Sequence, residues 1–245
     1  MAATMLDWLK RDPAHQARID LAGRSLPIVI RRRAQARRLT LRLSPDCSEV
    51  RVTLPTWGRT QEALDFARSR AAWLERQLAA VPQPAALTGG SALPYRGQVL
   101  AIAHVPGATR RVRLDGEALV LGGPAETLGS RLRRWLTAEA RRLVEQDLAD
   151  YCDRAGLPVP RLVLSSAQRR WGSCSAKGEV RINWRLVMAP DFVRRSVVAH
   201  EVAHLVHFDH SPRFHALLRE LFEGDLVAAN RWLKREGRGL YAILR

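Results

Sequence analysis

The chain has 245 residues, 47% of them apolar, enough for one large or two small domains with a real core. Three widely spaced cysteines, Cys47, Cys152 and Cys174, exclude a disulfide framework and point to a reducing compartment. The start carries no secretory apolar segment and no run approaches the roughly 18 apolar residues of a spanning helix, so the expectation is a cytoplasmic chain with no membrane partner. The formal net charge is +16, and among the forty basic residues only Lys10, Lys177 and Lys234 are lysines. Residues 1–60 carry 12 positive and 5 negative charges, and residues 127–199 carry 14 and 7. Those arginine-rich stretches suit nucleic acid as a partner. They suit a merely solvated surface equally well.

In chain order, residues 1–26 are weakly amphipathic and read as a poorly ordered lead-in. From Pro27 the texture is β: LPIVIRR, RRLTLRL and EVRVTLP, with a turn at Ser44-Pro45-Asp46. Leu39, Leu41 and Leu43 share one face while Arg38, Thr40 and Arg42 share the other. Val50, Val52 and Leu54 likewise alternate with Arg51 and Thr53. This is the pattern of half-buried antiparallel strands with an arginine-bearing outer face. Thr60 is positioned to cap a helix through about Leu78. Val81–Ser91, VPQPAALTGGS, is the clearest linker. Three more strands follow, in YRGQVLAIAHV, RRVRL and EALVLGG, with Asp115-Gly116 as a hairpin turn. No internal repeat of fixed period is visible, although two β-α-β-like halves are.

Pro124 opens a long amphipathic helix through Leu128, Leu132, Leu136, Leu143, Leu148 and Tyr151, stopped at Gly156-Leu157-Pro158. It is expected to support the helix that follows. Strands are expected at 161–166 and 178–187. QRRWGSCSAKG lies between them, with Trp171, Gly172 and Cys174 read as a tight turn with an aromatic anchor. Asp191 begins an apolar helix, Ser211-Pro212 starts another, and Asp225 caps a last one that Gly237 ends.

That apolar helix carries HEVAHLVHFDH, residues 200–210. His200 and His204 are four apart and so lie on one helical face, close enough to share a tetrahedral zinc, with Glu201 placed to act on a water. A third ligand must come from elsewhere, because one face offers two. His210 follows a forced turn; Glu220 or Glu223 on the next helix are the alternatives. The second-histidine-plus-six spacing equals that of the metzincin signature, but His207 replaces its glycine and no methionine follows. His207 and His215 read as partners of the ligands or as surface histidines. Cys174 is a candidate fourth, inhibitory ligand.

RRWGSCSAKGEVRINWRLVMAP followed by VVAHEVAHLVHFDHSPRFHALL resembles the bacterial YgjP-like metallopeptidases, relatives of the SprT-like and WLM zinc proteases. The likeness covers about residues 27–235. The RWGSC block, the NWRL strand, the Ala-Pro before the helix and the H-E-x-x-H-x5-H all match in order; His215 stands where the family usually has tryptophan. The resemblance implies an α+β fold: an antiparallel β-rich region over 27–123 with one helix, then a zincin-like, minigluzincin-type helical catalytic domain with a small sheet over 124–245. It implies His200, His204 and His210 as ligands of one Zn2+ per chain, Glu201 as general base, and a protein or peptide substrate. By zincin analogy the strand around Val180, Ile182, Asn183 and Trp184 would pair with an extended substrate by strand addition. Tyr241, Arg170 and His215 are candidate oxyanion donors. Two other readings are open: an SprT-like protease acting on nucleic-acid-associated proteins, and a non-catalytic module with a structural zinc.

Overall fold

The computed structural model describes residues 17–44, 47–79 and 87–244. The chain divides into two compact units, Met1–Pro82 and Gln83–Arg245. The division falls in the proline-rich linker, not at residue 124. The reason is packing: Leu93, Tyr95, Leu100, Ile102, Leu119 and Leu121 belong to the same buried core as the helices beyond 124. Residues 1–16 of the expected lead-in lie outside the described residues, and the rest of it is strand. β1 (Arg18–Leu21) buries Ile19 and Leu21 and pairs with β2 (Arg24–Arg32) through a turn in which Ala22 and Gly23 both have positive φ.

In the first unit the sheet runs β1-β2-β4-β3, with β3 at Thr40–Leu43 and β4 at Val50–Leu54. β3 and β4 are antiparallel, as their alternation suggested, but β2 and β4 are parallel, so the sheet is mixed. Local alternation fixes which side chains share a face; it does not say which strand lies beside which. One face, with Leu26, Ile28, Val50, Val52 and Leu54, is covered by α1 (Thr60–Ser69) and α2 (Ala71–Ala79) through Ala63, Ala67, Leu74 and Leu78. The single helix expected from Thr60 breaks at Arg70. Thr60 is its first residue rather than its cap; the N–H of Arg59 donates to the Glu62 carboxylate at 3.2 Å.

The second unit repeats that arrangement. β5 (Ala92–Tyr95), β6 (Gln98–His104), β8 (Ala118–Leu121) and β7 (Arg113–Asp115) lie in the order β5-β6-β8-β7, with a parallel central pair. Its first hairpin again turns on two positive-φ residues, Arg96 and Gly97, the type I′ geometry that matches strand twist. The N–H groups of Arg96 and Gly97 donate to the carbonyls of Val187 and Met188, just ahead of the apolar helix.

Beyond this sheet, a 3-10 turn at Ala125–Thr127 leads into α3 (Leu128–Arg154), whose apolar stripe lies against α4 (Asp191–Val206). A second, three-stranded sheet has the order β10-β11-β9, with β9 at Leu162–Ser165, β10 at Gly172–Cys174 and β11 at Val180–Asn183. Residues 184–187, expected as the end of a strand, instead form with Met188 a buried 3-10 turn. α5 (Pro212–Leu221), α6 (Leu226–Glu236) and the short α7 (Leu240–Ile243) complete the unit. The whole is an α+β fold. Among the described residues no helix is long and apolar enough to cross a membrane.

α4 is held to α3 by an ion pair inside the core. Arg194, 2% exposed, donates to Asp147, 3% exposed, at 2.7 Å. Removing one partner of such a pair strands the other charge at a cost of about 3–5 kcal/mol. Asp147→Ala is therefore expected to destabilise the second unit by that amount, read as an earlier denaturant midpoint in tryptophan fluorescence, whereas exposed Asp65→Ala leaves the midpoint in place.

Candidate metal centre

Helix α4 begins at Asp191, whose carboxylate bonds Arg96 and Arg194, and its apolar residues Val193, Val197, Val198, Ala199, Val202 and Ala203 are all buried. It stops at Val206 because His207 turns extended, and Ser211 starts α5 by accepting from the N–H of Phe214. This short excursion brings His210 back over α4. His200 Nε2 lies 3.1 Å from His204 Nε2 and 3.3 Å from His210 Nε2. Three nitrogens around one tetrahedral ion, with metal–nitrogen bonds of about 2.0–2.1 Å, stand about 3.3–3.4 Å apart.

Hydrogen bonding alone does not account for the cluster, since His200 Nε2 faces two acceptor-type nitrogens and has one proton at most. Burial, and then the neighbouring imidazoles, lower the pKa of His200 to about 4, so its ring is neutral near pH 7. The tautomer of His204 is fixed within its own helix end: Nδ1 lies 3.0 Å from the His207 carbonyl, which can only accept, so Nε2 presents its lone pair. The donor set fits a single small cation.

Two features of this site escaped sequence reasoning. Phe214 is fully buried, and its ring centroid stands 5.0, 4.5 and 4.8 Å from those of His200, His204 and His210, forming the wall against which all three imidazoles rest. Its one signal was its place three residues after the Ser211 cap. The second is Gly172. It is not in a turn but in the edge strand β10, which crosses directly over Glu201; a Cβ there would sit 2.3 Å from Glu201 Oε1. Only glycine lets backbone approach a carboxylate so closely.

Glu201 is 5% exposed, and its Oε2 is buried without a hydrogen-bond partner. Burial raises its pKa to about 7, against the opposing pull of the Arg170 guanidinium and the Cys174 backbone amide. Arg170 itself is exposed and lines a cleft of about 360 Å³ with Ser173, Cys174, Ser175 and Arg181.

The other expected site residues lie elsewhere. Val180, Ile182, Asn183 and Trp184 are buried, and β11 is paired on both sides, so it has no free edge for a substrate. The strand with an unpaired edge beside Glu201 is β10. Trp171 O accepts from Asn183 N and Ser175 N donates to Glu179 O, so by alternation the main-chain groups of Gly172 face away from β11. Tyr241 is buried; its hydroxyl donates to the Ala167 carbonyl at 2.9 Å and accepts from Asn183 Nδ2 at 3.0 Å, and its ring packs on Trp171. It pins the loop before β10 and has no proton to offer a substrate.

His215 is exposed, its ring 6.3 Å from that of His210, outside the donor cluster. His207 contributes only its backbone carbonyl. Of the alternative ligands, Glu220 is exposed, and Glu223 is held by Arg195, Arg154 and the Tyr151 hydroxyl. Cys174 stands outside the donor cluster too; burial first, then Glu201, raises its thiol pKa.

A buried helix that presents converging imidazoles and an unpaired carboxylate beneath a strand edge is the arrangement of a metal-dependent hydrolase. The sequence profile of the YgjP-like metallopeptidase domain matches residues 37–236, and the chain belongs to that family. The family implies a metal, and the three histidines are the described residues able to hold one. Neither the curated proteins nor the solved structures contain a match to the chain.

Phe214→Leu keeps the apolar packing but loses the flat ring. It is expected to weaken metal binding about 10-fold in competition with a chromophoric chelator, the scale seen when groups supporting metal ligands are altered.

Proposed function

We propose that the chain is a zinc-dependent endopeptidase whose ion is held by His200, His204 and His210 and whose general base is Glu201. The observation that carries this reading is the convergence of His204 Nε2 and His210 Nε2 on His200 Nε2, at 3.1 and 3.3 Å, beside a carboxylate that has no hydrogen-bond partner on Oε2. A closed structural site would use four protein donors, whereas three leave a position for water and substrate. Zinc bound there supplies a Lewis acid and brings the pKa of a coordinated water towards ~7.

The protein's own groups do the rest. Glu201, with a pKa near 7, is matched both to accept a proton from water and to return it to the leaving amine. Gly172 holds β10 close over the carboxylate. Its outward amide and carbonyl suit pairing with an extended peptide, so strand addition at β10 would lay the scissile bond across the ion. Of the expected oxyanion donors, Arg170, exposed and near enough to act on Glu201, and His215, exposed with its ring 6.3 Å from that of His210, remain. Phe214 excludes water from one side.

Glu201→Gln is expected to retain one zinc per chain by metal analysis and to lose about 10²–10⁴-fold in peptide cleavage. His210→Ala is expected to lose the zinc. Full metal content in His210→Ala would sink the ligand assignment; undiminished cleavage by Glu201→Gln would sink the mechanism. Gly172→Ala should keep the metal yet lower kcat/KM about 10²-fold, the scale of an ångström-size misplacement of a reacting group.

A further inference from the structure

Among the described residues, one sheet face of the first unit has no helix packed on it, and the peptidase reading leaves that face without a role. Residues 24–59 contain nine arginines and no lysine, against two carboxylates, Asp46 and Glu49. Glu49 is taken up by Arg51. Strand alternation puts Leu26, Ile28, Val50, Val52 and Leu54 against the helices and turns Arg31, Arg42, Arg51, Thr40 and Thr53 to the other side. Register makes this a compact patch: Arg42 lies directly opposite Arg51, Thr40 opposite Thr53, and Arg31 beside Thr53. Neighbouring strands are about 4.8 Å apart, so these guanidinium groups share one small area.

Like charges placed directly opposite across a strand pair destabilise a sheet. Glu49 offsets Arg51, which leaves Arg42 as the uncompensated cation of the pair. The loop that continues β2 adds Arg33, Arg37 and Arg38, all exposed. Among the described residues the guanidinium groups of Arg31, Arg33, Arg37, Arg38 and Arg42 have no ion-pair or hydrogen-bond partner.

Trp57, 78% exposed, stands in the turn after β4, at the end of the sheet where the Arg33–Arg38 loop leaves β2. Arg32 fixes its loop there: Nη2 donates to the Gly58 carbonyl at 3.4 Å and to Thr60 Oγ1 at 2.9 Å, tying the turn after β4 to the end of β2. We propose that this face binds single-stranded nucleic acid, its arginines and threonines holding phosphates and Trp57 stacking a base. Arginine forks match phosphate oxygens and hydroxyls add donors, and an exposed indole within reach of such cations is how sequence-tolerant binders hold unpaired bases. A membrane-docking face would interleave several exposed apolar side chains with the cations; here the apolar residues on that side, Pro27 and Val29, are half-buried, and the exposed loop offers Ala34 and Gln35. The proposal is independent of the zinc site.

The test is fluorescence anisotropy of the full chain with a labelled oligothymidylate of about 20 nucleotides, beside a duplex of equal length and phosphatidylserine vesicles. Each phosphate contact on a single strand contributes a slope of about −0.7 to log K against log salt, so four contacts predict about a 50-fold loss between 50 and 200 mM salt. The double variant Arg31→Glu, Arg42→Glu should lose at least about 10-fold. Arg42→Glu alone should not lower the Tm, since it replaces repulsion with attraction opposite Arg51; weaker binding with an unchanged or higher Tm therefore separates recognition from folding. Trp57→Ala should cost about 5-fold or more on the single strand and nothing on the duplex. No binding by the wild type, a flat salt response, reversal variants that bind like wild type, or vesicles captured in place of the oligonucleotide would each overturn the proposal.

Discussion

Helix α4 lies in an apolar core and yet carries arginines, histidines and a carboxylate, and the second unit is built around making that tolerable. An unpaired charge buried there costs several kcal/mol. Along its first half the cost is offset by partners: Arg194 meets Asp147 and Asp191, and Arg195 meets Asp147, Asp150 and Glu223. Along its second half no ion pair forms among the described residues: Glu201 has only the Cys174 amide and the pull of the exposed Arg170, with Oε2 left without a partner. His200 stays neutral because burial disfavours its cation, and Glu201 keeps a carboxyl proton up to about pH 7 for the same reason. The paired half anchors the helix to α3. The unpaired half is left able to exchange protons and take a cation.

What the chain disclosed in advance follows the range of the forces involved. The ends of α4 and α5 were legible because Asp191, Ser211 and Pro212 act on their own first turns, and the histidine spacing was legible because helical geometry converts it directly into distance. β10 was not, since Gly-Ser-Cys has no strand propensity, and its conformation comes from β11 on one side and Glu201 beneath. The expectation that β11 offers an edge failed for a related reason. Its own alternation is correct, with Val180 and Ile182 inward, but the parallel partner β9 is added by topology, which no local pattern encodes. Tyr241 was misjudged because its partners, Ala167 and Asn183, are 74 and 58 residues away in sequence. Phe214 was overlooked because an apolar helix residue gives no hint that three imidazoles rest on it.

The two units share a strand order and a left-handed first hairpin, and they use them differently. In the first, the backbone N–H of Ala22 donates to the Glu75 carboxylate on α2, so the turn only closes its own small core. In the second, the matching turn bonds the Val187 and Met188 carbonyls while Arg96 reaches Asp191, so it grips the start of α4. Their outward faces differ as well. One carries Arg31, Arg42 and Arg51; its counterpart carries Ala101, Ala103 and Val120, with one arginine, Arg113, paired to Asp115. Connections of unequal length, Ser44–Glu49 against Gly116–Glu117, spoil any fixed period, which is why the repetition is evident in topology and not in the residues.

The imidazole cluster is a local construction. All three histidines, the carbonyl that sets the His204 tautomer, the Ser211 cap and the Phe214 wall fall within residues 200–214. Closing so short a stretch costs little chain entropy. The cover over Glu201 is assembled from far apart, through β9, β11 and the Tyr241 hydroxyl. The donor cluster is thus specified by one short stretch, whereas the surroundings of the carboxylate depend on segments that meet only in the finished fold.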